Sequence, residues 1–320
     1  MGHATTGSRA VLAAVLRART AEIAGAWPRA ARGEPRAIHR ARTASRRLRE
    51  LLPIVESAVP GVGARRLRRE ARRLTRALGP VRELDVAIDV LTNELAEHGA
   101  SGPAIAVISR ELERQRAEAR EVLRARLDEL DIDMWSARCD GVLDAVTRAS
   151  SSDREGAALA KRLRRRALRV TTSIAAAGTL YSPEALHCVR IAAKKLRYAL
   201  ELARDLEGVP VDSFIASVKA VQDRLGRIHD LHVLDQYVRG MKWPPGRRAT
   251  TQGPATLLAS IERECREQHA AYLARRDELN AVARRAANAM SASLVGRRSP
   301  VRMKLSNRSA RRLRLVAGDR

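Results

Sequence analysis

His39-Arg40-Ala41-Arg42-Thr43-Ala44-Ser45-Arg46-Arg47-Leu48-Arg49 recurs 148 residues later as His187-Cys188-Val189-Arg190-Ile191-Ala192-Ala193-Lys194-Lys195-Leu196-Arg197. A second pair holds nearly the same offset: Leu78-Gly79-Pro80-Val81-Arg82-Glu83-Leu84-Asp85 against Leu225-Gly226-Arg227-Ile228-His229-Asp230-Leu231-His232. Two motifs repeated in one order at one spacing make the chain two related halves.

Helical phase gives the repeat its physical content. At about 100° per residue, His39, Arg42, Arg46 and Arg49 fall within an arc of about 80°. His187, Arg190, Lys194 and Arg197 share that spacing. Ala41, Ala44, Leu48, Leu51, Leu52 and Val55 lie on the other side of the first helix, and Val189, Ala192, Leu196, Ala199 and Leu200 on that of the second. Each helix therefore has an apolar stripe to bury and a cationic stripe facing away from it. No acid interrupts either stripe before Glu50 and Glu201, so most of it lacks neutralising i,i+4 partners. One such stripe is ordinarily a solvated face. The same four positions twice, with His in the same slot, point to anion binding.

Composition agrees. Of 320 residues, 61 are Lys or Arg against 36 Asp or Glu, a formal net charge of +25. That excess predicts a polyanionic partner: nucleic acid, an anionic membrane surface or phosphate chains. Hydrophobic residues reach 45% but aromatics only 2%, so the core is Ala, Leu, Val and Ile, which suits helix-on-helix packing. No alternating β-branched run marks a strand. One Phe, four Tyr and three Trp are too few to stack single-stranded bases. Cys139, Cys188 and Cys265 lie far apart without CxxC spacing, which fits a reducing cytoplasm and no structural zinc. No stretch has membrane-span character.

Punctuation along the chain predicts an all-α architecture of two helical bundles related by a pseudo-twofold axis, occupying residues 9–290 with halves at 9–149 and 154–290. Helices are expected over 9–26, 35–57, 64–79 and 80–98, with Trp27-Pro28 ending the first and Pro53 kinking the second. Further helices are expected to about Leu130 and from Met134 to Ala149. After a linker at Ser150–Asp153, the second half should run 154–177, a helix opened by Ser182-Pro183, two helices meeting near Gly226, a loop at 243–254 and one final helix over 255–290. Gly79 and Gly226 read as helix C-caps. Residues 291–320 read as a basic, disordered tail.

Both repeated segments resemble the signature of the CHAD family, the conserved histidine α-helical domain: an HxxR-x(3)-[RK][RK]-x-R helix in each half, followed by an LG-x(3)-D type turn. The resemblance implies two four-helix bundles around a basic central groove, and binding of inorganic polyphosphate. Carried over by position, it implies groove residues His39, Arg42, Arg46, Arg47 and Arg49 with His187, Arg190, Lys194, Lys195 and Arg197. Arg72 with Lys219, and Arg17 with Arg165, match at the same offsets. The turns depart from symmetry, since His229 and His232 replace Arg82 and Asp85.

His229, Asp230 and His232 invite a metal or phosphohydrolase reading, but no further ligand set completes a site and the first half lacks the pair. No nucleophile–base constellation stands out. The reading is a protein that binds polyphosphate without catalysis, with no cofactor and no metal, expected in the cytoplasm and on polyphosphate granules. The rival is a nucleic-acid-binding protein that reads the phosphate backbone, with the tail at Arg297–Arg314 as a further anchor.

Overall fold

Ala41, Ala44, Leu48, Leu51, Leu52 and Val55 are buried, as are Val189, Ala192, Leu196, Ala199 and Leu200. The apolar stripe of each motif helix therefore packs as its period demands, and this orients the cationic stripe opposite. In the computed structural model, which describes residues 5–94, 103–150, 154–241 and 248–297, these stripes belong to α2 (Pro35–Ala58) and α7 (Pro183–Glu207). The other helices are α1 (Thr5–Ala31), α3 (Ala64–Asp89), α4 (Pro103–Leu130), α5 (Ile132–Arg148), α6 (Arg154–Ala177), α8 (Asp212–Gly240), α9 (Arg248–Leu273) and α10 (Arg276–Arg297). A π-turn at Val90–Glu94 follows α3. The described residues are all-helical, with no strand.

Packing order repeats. In the first half α1 meets α2, α2 meets α3, α3 meets α4, and α5 closes on α1 and α3. In the second, α6 meets α7, α7 meets α8, α8 meets α9, and α10 closes on α6 and α8. Each half thus holds five helices, one more than a four-helix count. Contacts between halves are reciprocal: α2 with α6 and α1 with α7, then α2 with α7, α3 with α8 and α4 with α9.

Start signals were legible in detail at α7. Ser182 is extended, its hydroxyl accepts from Ala185 N–H at 3.3 Å, Pro183 opens the helix, and left-handed Gly208 ends it. Several breaks were misplaced. α1 continues through Pro28 to Ala31, because Trp27 is buried against Trp135 of α5 (ring centroids 6.4 Å apart) and Ala30 is buried one turn on. α3 and α8 each run unbroken through the expected junctions at Pro80 and Gly226. Leu78, Val81 and Leu84 stay on one buried face, while exposed Pro80 costs only a solvent-side hydrogen bond. Gly79 and Gly226 are consequently mid-helix residues rather than caps. The expected final helix divides at Ala274-Arg275, where α10 turns back onto α6 and α8 without a Gly or Pro to signal it. α9 begins at Arg248, inside the expected 243–254 loop, and α10 runs past residue 290 to Arg297. The linker residues 151–153, the loop residues 95–102 and 242–247, and the tail from 298 onward lie outside the described residues.

Buried ion pairs join the halves. Glu50 on α2 takes Arg162 NH2 and Arg166 NH2 of α6, each at 2.7 Å, with Arg162 and Glu50 only 6% and 7% exposed. Arg9 of α1 meets Glu155 of α6 at 3.3 Å, also buried, and the half-buried Arg19 of α1 meets Asp205 of α7 at 3.2 Å. Removing one partner of a buried pair strands the other's charge. Glu50→Ala is therefore expected to lower unfolding free energy by about 3–5 kcal/mol, measured by urea denaturation.

Candidate anion-binding site

The cationic stripes of α2 and α7 face a shared cavity of about 1080 Å³, walled also by α3 and α8. Arg36, Arg40, Arg42, Arg46, Arg47 and Arg82 line it from the first half, and Arg190, Lys194, Arg197 and Arg227 from the second. Glu22, Glu83, Asp89, Asp223 and Asp230 are the acids of the lining. Cations outnumber them two to one, so the cavity is a concentrated positive field.

The corresponding motif arginines Arg42 and Arg190 each lie by the glycine of their LG element but have different polar partners. Arg42 donates to the Thr75 carbonyl of α3 at 2.9 Å. Its NH1 passes Gly79 so closely that a Cβ there would stand 3.3 Å away, and Arg190 Nε crosses Gly226 with 3.9 Å to such a Cβ. A glycine inside a helix costs about 1 kcal/mol relative to Ala. At Gly79 a side chain would press the Arg42 guanidinium back by a few tenths of an ångström, whereas at Gly226 a Cβ would meet Arg190 at ordinary contact distance. Ser45 and Thr75, whose hydroxyls are 2.9 Å apart, lock α2 to α3 beside this contact. Arg190 reaches Asp230 at 3.7 Å, while its buried Nε makes no hydrogen bond.

Glu201 binds both Arg47 and Arg197: Arg47 Nε donates to Oε2 at 3.0 Å and Arg197 NH1 to Oε1 at 2.8 Å. Arg197 Nε donates to Gln222 Oε1 at 2.9 Å. His187 Nδ1 and His229 Nδ1 are 3.1 Å apart, a bond that requires at least one neutral imidazole.

Burial among like charges shifts the site toward neutrality. Desolvation, then Arg190 and Arg46, push Lys194 down to about 6, against a smaller raising pull from Asp230. His229 falls to about 3 through burial and then Arg190, His187 and Lys194. Burial lowers His39 first, followed by Arg82 and Lys194, and lowers His187 first, followed by Arg190 and Lys194. Burial also brings Arg42 to about 10, so it stays charged at neutral pH. Burial raises the Asp230 carboxyl, opposed by Arg190 and Lys194.

Among the residues expected from sequence, the cavity gathers His39, Arg42, Arg46, Arg47, Arg190, Lys194 and Arg197. His187 stands behind the wall, bonded to lining residue His229. Arg49 and Lys195 lie on the other edge of the motif helices, where Glu50, Arg72 and Arg68 act on Arg49, and Arg166 and Glu50 act on Lys195. Arg72 is exposed there. Lys219 is exposed too, paired with Asp223 at 2.6 Å. Arg17 and Arg165 are exposed on α1 and α6, away from the cavity, because those helices turn apolar faces to the motif helices. Sequence reasoning missed Arg36, Arg40, Arg82 and Arg227. Arg36 and Arg40 flank His39 on the same face, a signal the repeat hid because neither has a cationic counterpart. His229 takes a place in the wall, and no group of three His, Cys, Asp or Glu able to hold a metal occurs among the described residues. No described helix is long and apolar enough to cross a membrane.

Duplicated His/Arg/Lys helices over one polycationic cavity define a helical protein class, and the comparisons name it. The CHAD domain matches residues 14–239, and this chain belongs to the CHAD family. Its fold is similar to PptA from Streptomyces chartreusis, with TM-score 0.58 and 21% identity, covering 83% of this chain and 98% of that one. It is also similar to the CHAD domain crystal structure from the plant Ricinus communis, with TM-score 0.57 and 19% identity, covering 86% and 91%. No curated protein sequence matches the chain.

Lys194 yields a stability test. Its folded pKa of about 6 lies below an ordinary lysine's near ~10.4, so the unfolded chain binds the extra proton between those values and stability rises with pH there. Lys194→Met removes this penalty. Melting curves should show the variant more stable than wild type, with a gain larger at pH 6 than at pH 9.

Proposed function

We propose that the chain binds inorganic polyphosphate in this cavity, without turnover, and that the two halves present their motif helices to the polymer about a pseudo-twofold axis. The supporting observation is the shared cavity itself, lined by ten cationic side chains drawn from both halves. Family membership adds the expected ligand class. A polymer without bases offers only charge and oxygen atoms, so its receptor needs repeated donors. Four motif positions span about 15 Å of helix axis, enough for several successive phosphates. Arginine forks give paired contacts to phosphate oxygens, and Lys194 adds a point charge. The ligand also suggests a setting, the cytoplasm and its polyphosphate granules.

The nucleic-acid reading shares the charge but makes a different forecast. Long-chain polyphosphate should outcompete duplex DNA and RNA at physiological salt, and removal of residues 298–320 should leave polyphosphate binding intact. Equal competition by DNA, or loss of binding with the tail, would transfer the assignment to the rival.

Corresponding residues should matter alike. Arg46→Ala and Lys194→Ala are each expected to weaken polyphosphate binding about tenfold or more, given charged hydrogen bonds of about 1.5–3 kcal/mol. Arg124→Ala with Arg126→Ala is the control for total charge, since both are exposed and paired within α4. Titration of all three, after circular dichroism shows intact helices, decides between a built site and global charge.

Affinity should also depend on pH. A bound polyanion favours the protonated amine of Lys194, so binding takes up a proton while free Lys194 is neutral. Affinity should rise as pH falls from 8 toward 6 and then level. Calorimetry in buffers of different ionisation enthalpy should register proton uptake, and Lys194→Met should reduce it.

A further inference from the structure

Glu201 stands where simple charge counting makes it a liability, a carboxylate at the edge of a polyanion site. Its side chain is 8% exposed, and its two oxygens are divided between guanidiniums of opposite halves, Arg47 of α2 and Arg197 of α7. Both guanidiniums also approach the Tyr198 ring, with their centres 6.0 and 5.0 Å from its centroid. Gln222 takes a further N–H of Arg197. Each guanidinium carries five N–H donors. Arg47 spends one on these partners and Arg197 two, so most donors of both stay available on the cavity wall.

The first half has no equivalent clamp. The residue at the motif offset from Glu201 is Pro53, and Tyr198 corresponds to Glu50, whose carboxylate serves Arg162 and Arg166 instead. The arrangement is therefore one carboxylate joining the two motif helices at one edge of the cavity.

We infer that Glu201 is a positioning residue for the polyanion, acting through Arg47 and Arg197 by fixing both guanidiniums in the orientation that meets the ligand. The inference rests on the polyphosphate reading of the cavity. A free arginine must be ordered when it binds, and that cost lowers affinity. Glu201 meets it in advance.

Charge and positioning make opposite forecasts. Glu201→Gln removes a negative charge, so charge alone predicts tighter binding. The amide of Gln keeps one acceptor oxygen and turns a donor toward the second guanidinium, so positioning predicts weaker binding, by about tenfold if two side chains lose their order. Asp223→Asn, which removes an acid of the cavity lining that pairs with Lys219 and holds neither Arg47 nor Arg197, should tighten binding.

The test uses the full chain, as wild type, Glu201→Gln, Arg47→Ala and the double variant, titrated with long-chain polyphosphate at physiological salt. Expected are a loss of about tenfold for Glu201→Gln and a smaller loss when the change is made in the Arg47→Ala background, because the two act as a unit. Equal or tighter binding by Glu201→Gln, or an undiminished loss beside Arg47→Ala, overturns the inference and leaves the site reading standing. A wild type that does not bind polyphosphate overturns the site reading, and this inference with it. The wild type alone supplies a second readout should the variant not fold. The Nε–H nitrogen resonances of Arg47 and Arg197 should stand apart from exposed arginines and exchange slowly. Averaging of both with the exposed set overturns the inference without any substitution.

Discussion

Bringing two cationic helix faces together in a partly dry cavity is the physical constraint on which the molecule depends. Two unit charges 4 Å apart repel by about 4 kcal/mol at an effective dielectric of 20, and α2 and α7 place Arg42, Arg46, Arg190 and Lys194 within one another's electrostatic reach. The chain answers this in two ways. Buried carboxylates are shared between pairs of arginines, Glu50 with Arg162 and Arg166, and Glu201 with Arg47 and Arg197. Groups that can shed a proton do so, which is why Lys194 and His229 fall so far below their ordinary values.

The same constraint links stability to binding. An amine held largely neutral by its neighbours adds little charge to the cavity, and in the proposed binding mode an anion would favour its protonated form. Apolar burial supplies the stability against which this is held: Leu48, Leu51, Ile54, Leu196 and Leu200 are fully buried behind the cationic faces. Gly79 and Gly226 belong to the same trade. Each weakens its helix slightly, and at Gly79 the missing side chain gives the Arg42 guanidinium room.

Duplication explains the frame, and divergence explains the site. The halves pack their five helices in the same order, yet the positions facing the cavity differ. His229 replaces Arg82, and its ring bonds to His187, whereas His39 is exposed on the cavity wall. His232 corresponds to Asp85, which is buried with neither carboxylate oxygen hydrogen-bonded and Arg116 3.7 Å away. Arg47 lines the cavity while its counterpart Lys195 does not, and Arg197 does while Arg49 does not. The cavity therefore has two related but unequal walls.

Periodicity in the sequence was enough for the all-helical class, the start of α7 and the common face shared by most of the motif cations, because each depends on residues a few positions apart on one helix. Helix ends were less legible. Pro28, Pro80 and Gly226 all signal breaks locally, and tertiary burial of neighbours such as Trp27, Val81 and Ile228 carries the helices through them. The turn at Ala274-Arg275 has no local signal, since it exists to fold α10 back on α6 and α8. Which edge of each cationic stripe meets the cavity was also invisible in sequence. At α2 and α7 that is decided by how the helices pass each other and by the cross-half pairs of Glu50 with Arg162 and Glu201 with Arg47, residues 112 and 154 apart. One-dimensional spacing gives the phase of a helix, and only packing gives its neighbour.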